Sequence, residues 1–142
     1  MGKRSDSILV IDDDPDFVKY VKTTLEHEGY TVLSASSGQE GIEAAIRCRP
    51  AVVVLDLLMT PEDGFATCEE LRSNPETRRA AIVVISAIGQ KMHKKFGSLD
   101  VGARLDVDGF FEKPVEPEVL TRTVSDMLAL AHSRRPAAKE EP

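Results

Sequence analysis

Three stretches of this chain, Ile8 to Ile11, Ala51 to Leu55 and Ala81 to Ile85, carry no polar residue at any position. A strand that faces water on one side alternates polar with apolar residues, so strands written this way must be covered on both faces. Two further short runs, Tyr30 to Ala35 and Gly109 to Phe111, share the apolar bias. Apart from Ala81 to Ile85, each run leads into a clear helical period. Phe17, Val18, Val21 and Leu25 recur at helical spacing, with Pro15 suited to a first turn and Gly29 to a stop. Ser37 and Glu40 have the spacing of a capping box ahead of Ile42, Ala45 and Ile46. Phe65, Cys68 and Leu71 mark a third helix that Ser73-Asn74-Pro75 closes. A last one carries Val119, Leu120, Val124, Met127, Leu128 and Ala131, with Pro117 in its first turn. Buried strands alternating with helices predict a parallel sheet covered on both sides, a doubly wound α/β domain. The stretch from Gln90 to Asp108 is less regular: Lys91, Lys94 and Lys95 suit a helix, Gly97 and Gly102 interrupt it, and the residues after Gly102 read as a loop or a short extra turn.

The 142 residues suit one domain, with any output domain expected on another chain. Residues 1–6 and the charged Ala/Pro tail 133–142 are expected to be disordered, leaving 7–132 as the domain. A formal charge of −6 argues against nucleic acid as the main partner, because neutralising a phosphate backbone needs a basic face. Cys48 and Cys68 form neither a C-x-x-C pair nor a disulfide framework, which suits a reducing compartment. The polar opening residues lack a signal-peptide core and no apolar run is long enough to span a membrane, so a cytoplasmic protein without a membrane partner is expected.

Doubly wound sheets gather their function at the carboxyl ends of the strands. Here the first strand ends in Asp12, Asp13 and Asp14, the third in Asp56 and the fourth in Ser86, while Lys113 follows the fifth. Each residue alone has an ordinary explanation: Asp14 before Pro15 is a natural helix N-cap, Asp56 a turn residue, Ser86 a loop hydroxyl, Lys113 a surface cation. Brought to one rim they make a different case. Carboxylates about 4 Å apart repel by about 4 kcal/mol per pair at an effective dielectric near 20, so the cluster calls for a counter-charge. Hard oxygen ligands of this kind suit Mg²⁺, and Ser86 with Lys113 would complete a site matched to a phosphoryl group.

In this order, Ile8-Leu-Val-Ile-Asp-Asp-Asp-Pro15, Asp56 after Val-Val-Val-Leu, Asp63-Gly64, Ile85-Ser-Ala87 and Phe110-Phe-Glu-Lys-Pro114 resemble the receiver domain of two-component response regulators, over about Ser7 to Ala131. The resemblance implies a flavodoxin-like fold with five parallel strands in the order 2-1-3-4-5. It implies Asp56 as phosphoacceptor, Asp13 and Asp56 as direct Mg²⁺ ligands, Asp12 as a ligand through water, and the main-chain carbonyl of Leu58 completing the protein's share. Ser86 takes the place of the switch hydroxyl, Lys113 that of the lysine pairing with phosphoryl oxygens, Phe110 that of the aromatic switch, and Pro114 that of a cis-proline. A sensor histidine kinase or histidine phosphotransfer protein would be the donor, an unidentified protein the target, and a phosphorylation-dependent dimer is allowed. Two departures stand out: Thr60 occupies the place where the family usually has proline, and the stretch from Ser86 to Lys113 is several residues longer than usual, mostly in Arg104 to Gly109.

Two rival readings use the same residues. In a phosphatase of the haloacid dehalogenase type, Asp12 would be the nucleophile and Asp14 the general acid, with Ser86 and Lys113 on the phosphate. That leaves Asp56 without a role and lacks a later acidic metal motif. A receiver-like module that binds a partner without being phosphorylated is the other, and the complete set of site side chains counts against it.

Overall fold

The computed structural model describes residues 6–59, 61–87 and 105–134 of the chain, without the side chains of residues 61–63. The expectations for Thr60, the side chain of Asp63, the Lys91–Lys95 helix and most of the tail lie outside those residues. Five parallel strands run β1 (Ile8–Ile11), β2 (Val32–Ala35), β3 (Val52–Leu55), β4 (Ala81–Ser86) and β5 (Gly109–Glu112), ordered β2-β1-β3-β4-β5 across the sheet. The helices are α1 (Pro15–His27), α2 (Gly38–Cys48), α3 (Pro61–Ser73) and, in this numbering, α4 (Pro117–Ser133). The expected doubly wound fold and strand order are both present.

The all-apolar strands divide their side chains between two cores. Leu9, Ile11, Val53, Leu55, Ile82 and Val84 face α2 and α3, packing with Ile42, Ala45, Cys68 and Leu71. Their neighbours Ile8, Val10, Val52, Val54, Val83 and Ile85 face α1 and α4, packing with Phe17, Val21, Leu25, Leu120 and Val124. Period two therefore sorts residues between two buried faces instead of between core and water. A fully buried side chain of this size contributes about 1.5–3 kcal/mol, which makes these layers the main source of stability.

Local signals place the helix ends. Asp14 caps α1 by accepting the Asp16 N–H at 3.0 Å, Pro15 fills the first turn, and Gly29 beyond the end has φ +94°, a left-handed conformation that glycine adopts without a Cβ clash. At α2, Ser37 Oγ accepts the Glu40 N–H at 3.1 Å. The return arm of the capping box is shifted by one residue: Glu40 accepts the N–H of Ser36 at 2.7 Å and its hydroxyl at 3.1 Å, not the N–H of Ser37. Asp6 reaches the other end of the chain, 2.9 Å from the His132 ring, and α4 continues through Ser133.

At the amino end of the sheet a half-buried ionic cluster joins elements distant in sequence. The Asp108 carboxylate accepts the Ile82 N–H at 2.9 Å, Arg72 Nη2 at 2.9 Å, Arg134 Nη1 at 3.1 Å, and a second bond from Arg134 Nη2. Arg72 also donates to the carbonyls of Asp106 and Ala80, both at 2.7 Å, and of Arg78 at 2.8 Å. Residues 105–108, part of the long stretch before β5, are thereby tied to α3, β4 and α4, and Leu105 is buried in the core. Burial alone would push the Asp108 carboxyl up; the hydrogen bonds from Arg134 and Ile82 and the charge of Arg72 outweigh it and hold the group below its usual range.

A carboxyl whose folded pKa is lowered stabilises the fold above its unfolded value and loses that contribution as pH falls through the folded one. Asp108→Ala, which removes the carboxylate shared by the half-buried Arg72 and Arg134, is expected to cost about 1–3 kcal/mol in urea unfolding at neutral pH. The difference from the wild type should shrink on acidification below the usual carboxylate range; an equal gap at both pH values would contradict this account.

Candidate phosphoryl and metal site

Register builds the site. β1 lies between β2 and β3 with Ile11 opposite both Ala35 and Leu55. The next residue on each of β1 and β3 is an aspartate, so Asp12 and Asp56 leave adjacent strands side by side. The ladder continues into them: Asp12 N–H donates to Ala35 O and Asp56 N–H to Ile11 O, each at 3.0 Å. Both carboxylates are nearly sealed from water, at 2% and 4% exposure, while Asp13 is exposed.

The two buried carboxylates are held alike. Asp12 Oδ1 accepts the N–H of Asp14 at 2.9 Å, and Asp56 Oδ1 accepts the N–H of Leu58 at 3.0 Å, so each closes a turn with the residue two positions on. Their other oxygens converge on Lys113, whose Nζ is 3.0 Å from Asp12 Oδ2 and 3.5 Å from Asp56 Oδ2. One oxygen each from Asp12, Asp13 and Asp56 lie within 4.8 Å of one another, a spacing that one small divalent cation could bridge.

Lys113 comes to this rim through β5. Its N–H donates to Ser86 O at 2.9 Å, extending the β4–β5 ladder, and the Lys113–Pro114 peptide bond is cis. Ser86 is fully buried at the end of β4. Phe110 pairs with Val84, two residues before Ser86, and packs partly buried on the α2/α3 side of the sheet. Gly64 explains how α3 can start so close to the site: a Cβ there would lie 2.5 Å from the Leu57 Cα, inside the backbone that follows Asp56. Thus Asp12, Asp13, Asp56, Ser86 and Lys113 meet at one end of the sheet, and Asp14 is engaged as the α1 cap.

Two contributors were hidden in the sequence. Phe17, read as one more apolar position on α1, lies under Lys113, with Nζ 4.2 Å from its ring centroid. Tyr20, one turn along, donates its hydroxyl to Val115 O at 2.5 Å and so holds the loop after Lys113. Neither differs in pattern from an ordinary core residue, because the partner is 95 positions away for Tyr20. Cys68 is a core residue whose burial pushes its thiol up to about 11, away from the thiolate that redox chemistry needs.

Residues 8–125 match the family model described as "Response regulator receiver domain". The chain is 33% identical over 132 residues to the DNA-binding dual master transcriptional regulator RpaA of Synechocystis, covering 93% of this chain and 53% of RpaA. It is 31% identical over 122 residues to the protein PilH of Pseudomonas aeruginosa, covering 86% of this chain and 97% of PilH. It therefore spans about half the length of RpaA and almost all of PilH. A sensor protein from Polaromonas, solved by crystallography, superimposes with a TM-score of 0.75 at 28% identity, covering 88% of this chain and 97% of that one. The chain belongs to the response regulator receiver family, the phosphoacceptor signalling domains of two-component systems.

Burial, and secondarily the charge of Asp56, push the Asp12 carboxyl up from 3.8 to about 6, against the pull of the Asp14 N–H and Lys113. A raised folded pKa means that ionised Asp12 opposes folding of the metal-free protein, fully above pH about 6 and not at all below the unfolded value of 3.8. Asp12→Asn should accordingly stabilise the metal-free protein at neutral pH by up to about 3 kcal/mol. Urea unfolding compared at neutral and acidic pH should show that advantage disappearing as the wild-type carboxyl protonates.

Proposed function

We propose that this protein is a stand-alone receiver that takes a phosphoryl group from a phosphohistidine onto Asp56, with Mg²⁺, and signals by a change of shape. The observation that carries the reading is the convergence of Asp12 Oδ2 and Asp56 Oδ2 on Lys113, with Asp13 completing a three-carboxylate set. PilH, matched over 97% of its length, supports the stand-alone arrangement. A sensor histidine kinase or a histidine phosphotransfer protein is the donor in this reading, and an unidentified protein the target. No described helix is long and apolar enough to cross a membrane, and a cytoplasmic setting suits such partners.

The donor set fits Mg²⁺: all oxygen, acidic, and under-compensated by a single ammonium. Asp13 and Asp56 would be direct ligands, Asp12 a ligand through water, and Leu58 would offer its main-chain carbonyl. When bound, Mg²⁺ neutralises charge on the oxygens of the transferring group. Asp56 forms the new bond to phosphorus as the bond to the donor imidazole breaks. Lys113, already within reach of Asp56, pairs with an oxygen of the new group. The phosphoryl group brings about −1.5 to −2 charges and strong acceptors. Ser86 gives one of them a hydrogen bond; at roughly 1.5–3 kcal/mol for a charge-assisted bond, this shifts a two-state equilibrium by about 10- to 100-fold. Phe110, beside β4 on the neighbouring strand, then repacks toward the place that the Ser86 hydroxyl leaves, and the face around β5 and α4 changes for a partner or for a second phosphorylated copy.

Incubation with Mg²⁺ and acetyl phosphate should add one phosphoryl group by intact mass, and chelation of the metal should abolish the addition. Asp56→Asn should remove it; labelling at the wild-type level in that variant would overturn the assignment. Steady hydrolysis of a generic phosphomonoester dependent on Asp12 would instead favour the dehalogenase-type phosphatase.

A further inference from the structure

A lysine ammonium on a four-carbon stem is a poorly anchored charge, and at this rim its two carboxylate partners lie on unequal terms, at 3.0 and 3.5 Å. A third contact comes from α1: the Phe17 ring, only 9% exposed, presents its face to Nζ at 4.2 Å. An aromatic face attracts a cation without taking up its N–H donors in strong hydrogen bonds, so the ring can hold the ammonium while those bonds are exchanged. The ring is itself braced. Tyr20 packs against it with centroids 6.2 Å apart and planes at 44°, and the Tyr20 hydroxyl donates to Val115 O, two residues beyond Lys113. One helix thus grips both the tip of the lysine and the backbone that carries it.

We propose that Phe17 is a positioning residue for Lys113. Its ring face is the pivot on which the ammonium turns from Asp12 toward an oxygen newly attached to Asp56, and Tyr20 keeps that pivot in register with the Lys113–Val115 backbone. The role in phosphoryl transfer rests on Asp56 being the acceptor; the placement of Lys113 over the ring does not. The electrostatic part of the contact matters, not the bulk of the side chain alone. Losing it should slow Asp56 phosphorylation by about 3- to 10-fold, as expected for one partly desolvated cation–π contact.

The full chain carrying isotopically dimethylated lysines gives a readout that simple stability does not mimic. A Lys113 methyl signal over the ring is displaced upfield by the ring current, and assignment by Lys113→Arg identifies it. Phe17→Leu should abolish the displacement and slow acetyl phosphate labelling of unmethylated protein by about 3- to 10-fold. A trifluorinated phenylalanine at position 17, which keeps the shape and weakens the negative ring face, should slow labelling with little change in thermal stability. Tyr20→Phe should shift the Lys113 signal while leaving the ring in place. Wild-type labelling rates in both position-17 variants, or a melting point that falls with neither the rate nor the methyl signal changed, would overturn the proposal. If Phe17→Leu does not fold, the fluorinated protein decides the matter by its rate. If the wild type takes no label at all, the phosphoacceptor reading fails, and a Lys113 signal without ring-current displacement would separately refute the contact.

Discussion

The chemistry of this protein depends on one constraint: β1 and β3 are hydrogen-bonded neighbours in register, and each is followed at once by an aspartate. Asp12 and Asp56 cannot separate without breaking the β1–β3 ladder, in which the Asp56 N–H donates to Ile11 O. Their Oδ1 atoms are tied back to the chain, their Oδ2 atoms share one ammonium, and among the described residues the carboxylates of Asp12, Asp13 and Asp56 outnumber that one cation. The rest of the carboxyl end serves that arrangement. Gly64 lets α3 lie against the backbone after Asp56, the β4–β5 ladder delivers Lys113, and the start of α1 places Phe17 beneath it.

The two ends of the sheet are electrostatic opposites. At the amino end the Asp108 carboxylate receives two guanidinium groups and a backbone N–H, and its pKa is lowered. At the carboxyl end two buried carboxylates share one lysine, and Asp12 is pushed up to about 6. A compensated, half-buried charge serves to join elements, here α3, β4, β5 and α4. An uncompensated one opposes folding and is relieved by a cation or by protonation, which is the property expected of a binding site.

Much of the architecture was legible because it rests on local rules. All-apolar runs imply burial on both faces, Pro15 and Ser37 mark helix starts, and Gly29 marks a stop, each acting through the backbone of its own neighbourhood. The site was legible at one remove: the identities of Asp12, Asp13, Asp56, Ser86 and Lys113 could be read, but only their shared position at strand ends made them a group. The partnerships were not legible. Arg134 fell in the tail expected to be disordered, Asp108 in the irregular stretch before the fifth strand, and Phe17 among the apolar positions of a helix, since nothing local distinguishes a residue with a distant partner from one without. Even the capping box showed this limit, with Glu40 reaching Ser36 in place of the expected Ser37 N–H.

By itself the sequence determined the succession of strands and helices, the two-sided burial of the sheet and the inventory of chemical groups, because hydrophobic period and backbone propensity act over a few residues. Only the tertiary structure decided which charges meet. The β1–β3 register set Asp12 beside Asp56, and the packing of α1 against the β5–α4 loop set an aromatic face under Lys113. Both depend on the return of the chain from far along its length, and Coulomb and ring-face interactions at about 3 to 4 Å act only once that return has been made.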